Sequence, residues 1–481
     1  MNQQPTQKGN VPVTPEEVMG LFGQLFNREI VLGMLQAVAP EQRLYWRILT
    51  PLIVMWGFVY QRLSQEHSCD AFISHLHSGA ADSLDEKDPH EAALSQRLKS
   101  ESTAGYVQGR NRQPLALLEA AYRSVAHHAE EVAGEQGKWR GLTVRLIDGT
   151  TFLLPPEGDI EETYGRYQTN DKRPSHWIKV QAVMAGDLFT QAMVGLVERG
   201  HCTSESTMVP ELFQQDNQEN SLYVADRNFG IYRVVQAARG NNKQVLLRLS
   251  NQRALALLKK QTDKRPLASG ESRAVLWSPS YKDQTFDQWP ATAIAGRLIY
   301  LRVVQDGFQP FDLYLFTTLL DEELYPTTAL CELYLQRWQI EIRFRHTKTA
   351  MEMDFFNVQS AAMFRKELAA GLLTYNLICV LMTKAALRAN LSPCQLSFKK
   401  CLRRVHDLLS TGVPAWVREQ QSVADYILDR LARCRLPNQP NKVRHEPRSK
   451  RYKPRPYPAL YGDRQVARDT SSASAFKVQK S

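Results

Sequence analysis

Apolar residues recur at intervals of three and four through the first third of the chain, in 15–26, 44–63 and 115–128, the period of helices with one buried face. This spacing predicts a helical region over 15–140. A polar stretch with two prolines, 1–14, precedes it and reads as disordered, and an acidic connector, 82–90, interrupts it. The period changes at Leu142. Residues 143–147 are apolar and β-branched, which predicts a strand ending at Asp148-Gly149-Thr150. Two more strands are predicted at 176–184 and 188–197, with Ala185-Gly186-Asp187 as the turn between them. A helix over 204–215 follows, with Ser204 as its N-cap. Then come a short strand, 221–225, ending at Asp226, a helix over 231–238 and a strand at 245–249.

The resulting order is strand, strand, strand, helix, strand, helix, strand, with carboxylates closing the first and fourth strands. That is the order of an RNase H-like nuclease fold. Residues 251–325 break the alternation and carry strand-like pieces at 274–277, 294–304 and 313–318, so they are expected to form a β-rich insertion. Long helices are predicted over 328–349 and 363–387. The expected class is therefore α/β, an RNase H-like catalytic core interrupted by a β-rich insertion and preceded by a helical N-terminal domain. The expected divisions are 1–14 (disordered), 15–140 (helical), 141–250 (core, first part), 251–325 (insertion), 326–390 (core, second part), 391–440 (helical) and 441–481 (a basic, proline-rich tail whose last residues, 470–481, read as disordered).

Composition adds little to the fold but bounds the setting. Of 481 residues, 43% are hydrophobic and 23% charged, enough apolar material for an ordinary buried core. The net charge of +10 is compatible with a polyanionic partner without requiring one. Seven cysteines, an odd number with no CxxC pair, argue for free thiols rather than disulfides or a zinc ribbon. His201-Cys202 and His67 near Cys69 read as isolated pairs, because no second half-site follows. The longest apolar runs, 52–60 and 368–382, fall short of the ~20 residues that span a bilayer. No secretory signal is evident, so a cytoplasmic protein without a membrane partner is expected.

The chemistry gathers in Tyr334-x2-Arg337-x3-Glu341-x6-Lys348. On a regular helix, at about 100° per residue, these four side chains fall within an arc of about 60°. One stripe then carries a carboxylate, two cations and a phenol, although Arg337 and Glu341 alone would also make an ordinary (i, i+4) ion pair. The strand-end acids Asp148 and Asp226 sharpen the pattern. Two carboxylates at neighbouring strand ends repel unless a cation lies between them, and Mg²⁺ prefers such oxygen ligands.

Asp148-Gly-Thr, Asp226-Arg-Asn-Phe and the spaced Tyr334/Arg337/Glu341/Lys348 motif together resemble the insertion-sequence DDE transposases with the YREK signature, the IS-four type. Thr349-Ala-Met-Glu-Met-Asp354, Leu373-Thr-Tyr375-Asn376-Leu and Trp277-Ser-Pro also resemble that family. Asn228 departs from it, standing where the family more often has Gly. The resemblance covers roughly 142–387. It implies that Asp148, Asp226 and Glu341 bind two Mg²⁺, with Mn²⁺ able to substitute. It implies hydrolysis at the transposon ends and transfer of the freed 3′-OH ends into target DNA. Tyr334, Arg337 and Lys348 would hold DNA phosphates, and Trp277 or Trp289 would stack a flipped base. The implied partners are double-stranded DNA (terminal inverted repeats and target) and a second copy of the chain, in a bacterial, nucleoid-associated setting.

Two basic segments stand outside this motif. Lys442–Arg455 holds seven cations and one acid, with Tyr452 and Tyr457 among prolines, a composition suited to tracking phosphates. Lys399-Lys400 and Arg403-Arg404 lie on a predicted helix and read as a solvated face. The resemblance also implies that the helical region 15–140 binds DNA, with Arg97, Lys99, Arg110 and Arg112 as its candidate end-DNA contacts. Two alternative readings keep the same fold, a catalytically silent DNA-binding relative and a metal-dependent nuclease without strand transfer.

Overall fold

The computed structural model describes residues 20–42, 44, 47–64, 66–85, 92–168, 174–280, 283, 292–303, 311–411, 417, 422–436 and 462–471. Residues 1–14, Trp289 and the Lys442–Arg455 segment lie outside them.

Eight strands form one mixed sheet: β1 Thr143–Leu154, β2 Ile178–Asp187, β3 Met193–Gly200, β4 Ser221–Ala225, β5 Gln244–Leu249, β6 Ser272–Trp277, β7 Ile294–Val303 and β8 Phe311–Thr317. Their order across the sheet is β3-β2-β1-β4-β5-β8-β7-β6. β1, β4 and β5 are parallel to one another. The other pairings are antiparallel. β4 is buried at all five positions, which fits a central parallel strand covered on both faces. The helices Glu205–Gln215 and Tyr232–Gly240 stand where the sequence put them, each connecting parallel strands.

The differences from expectation are specific. β1 does not stop at Asp148; it runs on to Leu154, because Thr150-Thr151-Phe152-Leu153-Leu154 still suits a strand and β2 pairs with it over its whole length. What stops near Asp148 is the parallel pairing with β4, whose last partners are Leu146 and Val224. The turn between β2 and β3 falls after Asp187, not at Ala185–Asp187, since β2 continues to Asp187. The strands of 251–325 extend the β1–β5 sheet itself, with β8 pairing on β5, and a helix not foreseen, Asn251–Lys259, leads into them. The helix expected over 328–349 is irregular: Thr327–Leu335 is α-helical, Gln336–Trp338 tightens to 3-10, Gln339–Arg345 is α-helical, and His346–Ala350 widens to a π-turn. Near the C-terminus Arg464–Ser471 is helical, so the expected disorder from 470 does not begin there.

The N-terminal helices pack on the sheet's long partner helix, Ala361–Arg388. Asn376 of that helix is fully buried and donates to Tyr122 O (2.9 Å) and Met193 O (2.8 Å), joining the Leu115–Ala133 helix to β3. Its oxygen accepts from Met193 N at 2.7 Å. Glu367, one turn from the helix start, receives Arg62 at 2.6 Å and is also paired with Arg110. Ala361–Arg388 is long and apolar enough to cross a membrane, but 89% of its most apolar window is buried inside the protein.

Candidate active site

Asp148 and Asp226 lie at the carboxyl edge of the parallel β1–β4 pair, where open α/β sheets place ligands. Asp226 follows β4 directly, and its Oδ1 accepts from the backbone N–H of Asn228 at 2.8 Å, fixing the turn out of the strand. Asp148 sits two residues past the last β4 partner of β1, with its Oδ1 accepting from Gly149 N at 2.8 Å. Arg337 spans the gap to the signature helix. It donates through Nη1 to Asp148 Oδ2 (3.2 Å) and through Nη2 to Glu341 Oε1 (3.1 Å). Burial pushes the Asp148 carboxyl up to about 6. The Gly149 N–H and Arg337 pull it down, and the negative charges of Asp226 and Glu341 push it up again. All three acids therefore share one electrostatic neighbourhood.

Tyr334 is 8% exposed, and burial pushes its phenol up to about 12, with Arg337 and Arg248 opposing the shift and Asp226 adding to it. It stays protonated and can donate beside the acids. Lys348 stands further off. Its Nζ is 3.6 Å from Asp354 and 5.5 Å from the ring centroid of Phe152. Phe152 lies four residues beyond Asp148 on β1, hence on the same face. Lys348 thus flanks the acids along β1 rather than joining Arg337 between them. The helix loses regularity on both sides of Glu341, a pattern common at functional sites.

Four residues near the site, Glu205, Gln181, Arg248 and Trp338, were not singled out from the sequence. Glu205, the first residue of its helix, accepts from Gln181 Nε2 at 2.7 Å. Its carboxylate packs against Gly149, where a Cβ would meet Glu205 Oε1 at 1.9 Å. Burial and Asp226 raise its pKa, while hydrogen bonds from the Asn228 and Gln181 side chains lower it. Asn228, the departure from the family pattern, thus has a side-chain role beside Asp226. Arg248, on β5, adds a cation near Tyr334. Trp338, next to Arg337, is 53% exposed. None carried a sequence signal, since Glu205 and Gln181 are solitary polar residues whose meeting depends on the sheet.

Other expected positions are used differently. Trp277 is 7% exposed and packs edge-on against Phe316 at 4.8 Å, with Tyr232 beyond, so its ring has no open face for a base. Arg110 is spent on Glu367, and Arg97 pairs with Asp85, so neither guanidinium stands ready for DNA; Lys99 and Arg112 remain exposed. Cys202 is exposed, and all seven cysteines are free thiols.

The donors near Asp148 are carboxylate oxygens, the chemistry that suits a hard divalent cation. The Arg337 guanidinium already lies between Asp148 and Glu341, so this gap accepts positive charge. Among the described residues no three acidic, His or Cys side chains are close enough together to hold an ion as they stand. Holding one would require Arg337 to turn aside.

The family profile "Transposase DDE domain" matches residues 139–377, which include Asp148, Asp226 and Glu341. The transposase InsG for insertion sequence element IS4, from Escherichia coli (strain K12), is 25% identical over 282 residues. That alignment covers 57% of this chain and 60% of the relative, so the match spans about three-fifths of the relative's length. A solved piggyBac transposase synaptic complex with hairpin DNA aligns with 92% of this chain and 89% of that one, at 14% identity and a TM-score of 0.39. With the signature residues, the profile and the relative in agreement, the chain belongs to the insertion-sequence DDE transposases of the IS-four type.

Proposed function

We propose that this chain cleaves the ends of an insertion sequence and joins the freed 3′-OH ends to target DNA. The observation that carries the reading is Arg337, which bridges Asp148 at the sheet edge to Glu341 on the signature helix, with Asp226 near enough to influence Asp148. Asp148, Asp226 and Glu341 are the residues that would hold two Mg²⁺, or Mn²⁺ in their place. Such ions, when bound, activate the attacking oxygen and stabilise the leaving one. Arg337 moves from the carboxylates to a phosphate oxygen, exchanging one set of charge-assisted hydrogen bonds for another. Tyr334 donates its phenolic proton to the same backbone, and Lys348 steadies the neighbouring phosphate along β1. In this reading β1–β5 with the signature and central helices form the RNase H-like core, and 251–325 is the insertion that widens its sheet. The partners are duplex DNA (terminal repeats and target) and a second copy that holds the other end.

The deciding experiment incubates purified protein with duplex DNA carrying the element's ends and Mg²⁺, and maps products strand by strand. Nicking at the transferred 3′ ends followed by joining is the expected result. Nicking without joining would make the protein a nuclease, and binding without nicking a silent relative.

A further inference from the structure

A second cationic feature lies outside the carboxylate site. Residues 395–397 pair with 434–436, through Ser397 N to Cys434 O and Leu436 N to Gln395 O, both 2.8 Å. This brings the first turns of the Phe398–Thr411 helix against the end of the Val423–Ala432 helix. Between them is a hollow of ≈ 430 Å³ lined by Lys400, Arg403, Arg404, Arg430, Arg433 and Cys434. Lys400 Nζ donates to Arg435 O at 3.3 Å, and Arg404 is 3.5 Å from Asp407. Asp425 and Asp429, the nearest acids on the second helix, are both taken by Arg388. Among the described residues no carboxylate pairs with Arg403, Arg430 or Arg433.

Arg430 and Arg433 close the second helix, where cations are favoured, but the cations of the first helix stand where they are not. The N-terminal turns of a helix carry partial positive charge and favour acids. The Phe398–Thr411 helix has no acid in its first turn and instead places Lys399, Lys400, Arg403 and Arg404 in its first two turns. The repulsion among these groups, and between them and the helix end, is relieved by an anion with several oxygens. Arginines suit phosphates in particular, because each offers a planar pair of donors. The hollow also adjoins the catalytic element, since Phe398 stacks on His346 at 4.9 Å and 11° in the π-turn that carries Lys348.

We propose that this hollow is a phosphate-backbone site for duplex DNA, separate from the carboxylate centre. The inference rests on the transposase reading above. It accounts for a cluster that the sequence presented as a solvated helix face.

The test is a salt titration of full-length protein on a long duplex of arbitrary sequence, followed by fluorescence anisotropy. The triple variant R403A/R430A/R433A should bind more weakly and lower the slope of log affinity against log salt by about 2–3, near one per lost phosphate contact. R403K/R430K/R433K, which keeps the charge, should retain most of the slope. A measurement on the unaltered protein needs no variant to fold: duplex DNA should protect Arg403, Arg430 and Arg433 from phenylglyoxal, read by peptide mass. Equal modification with and without bound DNA overturns the site, as does an unchanged slope in the triple alanine variant. If the unaltered protein bound no duplex at all, the transposase reading itself would fall.

Discussion

Arg337 holds two acids with one guanidinium, and this arrangement makes the carboxylates unequal. Burial raises the Asp148 carboxyl to about 6, and this has a consequence for stability. A carboxyl raised in the folded state favours folding while protonated, below its unfolded value near 4, and that contribution is lost as pH rises through about 6. Without added metal, Asp148→Asn should therefore gain on the unaltered protein by roughly 1–3 kcal/mol between pH 4 and 7; melting curves across that window check it, and a constant difference would refute it. With Mg²⁺, Asp148→Asn, Asp226→Asn and Glu341→Gln should each abolish end cleavage and leave DNA binding in place. Near-normal cleavage by one of them would remove that residue from the set. At this scale the spacing of Tyr334, Arg337 and Glu341 was legible beforehand, because fixed spacing is visible in a sequence, and Arg337 indeed reaches both Asp148 and Glu341. Glu205 and Gln181 were not, since their hydrogen bond joins a helix start to β2, a contact that has no sequence spacing.

Among the elements, β1 is the one whose geometry the site depends on. Gly149 follows Asp148 immediately, and the Glu205 carboxylate lies where any side chain at 149 would go. Gly149→Ala should push Glu205 aside, break its bond to Gln181 and lower cleavage by about tenfold, the scale expected of a small misplacement near reacting groups. Adding Glu205→Ala should recover part of that loss. Strictly additive losses in the double variant would show that the clash is not the cause. Element types were read well where periodicity was strong, as in Ser221–Ala225, Glu205–Gln215 and Ala361–Arg388. They were misjudged where a second partner decides. The continuation of β1 to Leu154 depends on β2, and the 3-10 and π turns around Glu341 interrupt a segment whose apolar spacing reads as one helix.

For the molecule as a whole, one buried ion cluster ties the N-terminal helices to the long helix Ala361–Arg388. Glu367 is held below its usual carboxylate range by Arg62 and Arg110, although burial opposes the shift. Its contribution is present above the unfolded carboxylate value and fades as pH falls through the lower folded one. Glu367→Gln strands two guanidinium groups in partial burial and should cost about 3–5 kcal/mol in denaturant melts at pH 7, with a smaller loss at low pH. A loss under about 1 kcal/mol, the scale of an exposed pair, would show that the cluster is solvated. Arg110 illustrates why this scale was the least legible: a cation in a helical region looks like a DNA contact until its partner 257 residues away is known. The β-rich segment was seen as strands, but that those strands would lengthen the catalytic sheet was not visible in any local pattern.

That lengthening bears on how the chain assembles its carboxylate site. The helix bearing Arg337 and Glu341 follows β8, and β8 is anchored on β5. Asp148 and Arg337 stand 189 residues apart, and contacts so distant in the chain form late, after the entropy of closing the loop has been met. The carboxylate site is thus among the last parts of the protein to mature, completed only when the far half of the sheet has docked. In pulse-labelled hydrogen exchange during refolding, amides of β1 and β4 should gain protection before those of 339–345, so the acids on the strands are in place before Arg337 arrives to neutralise them.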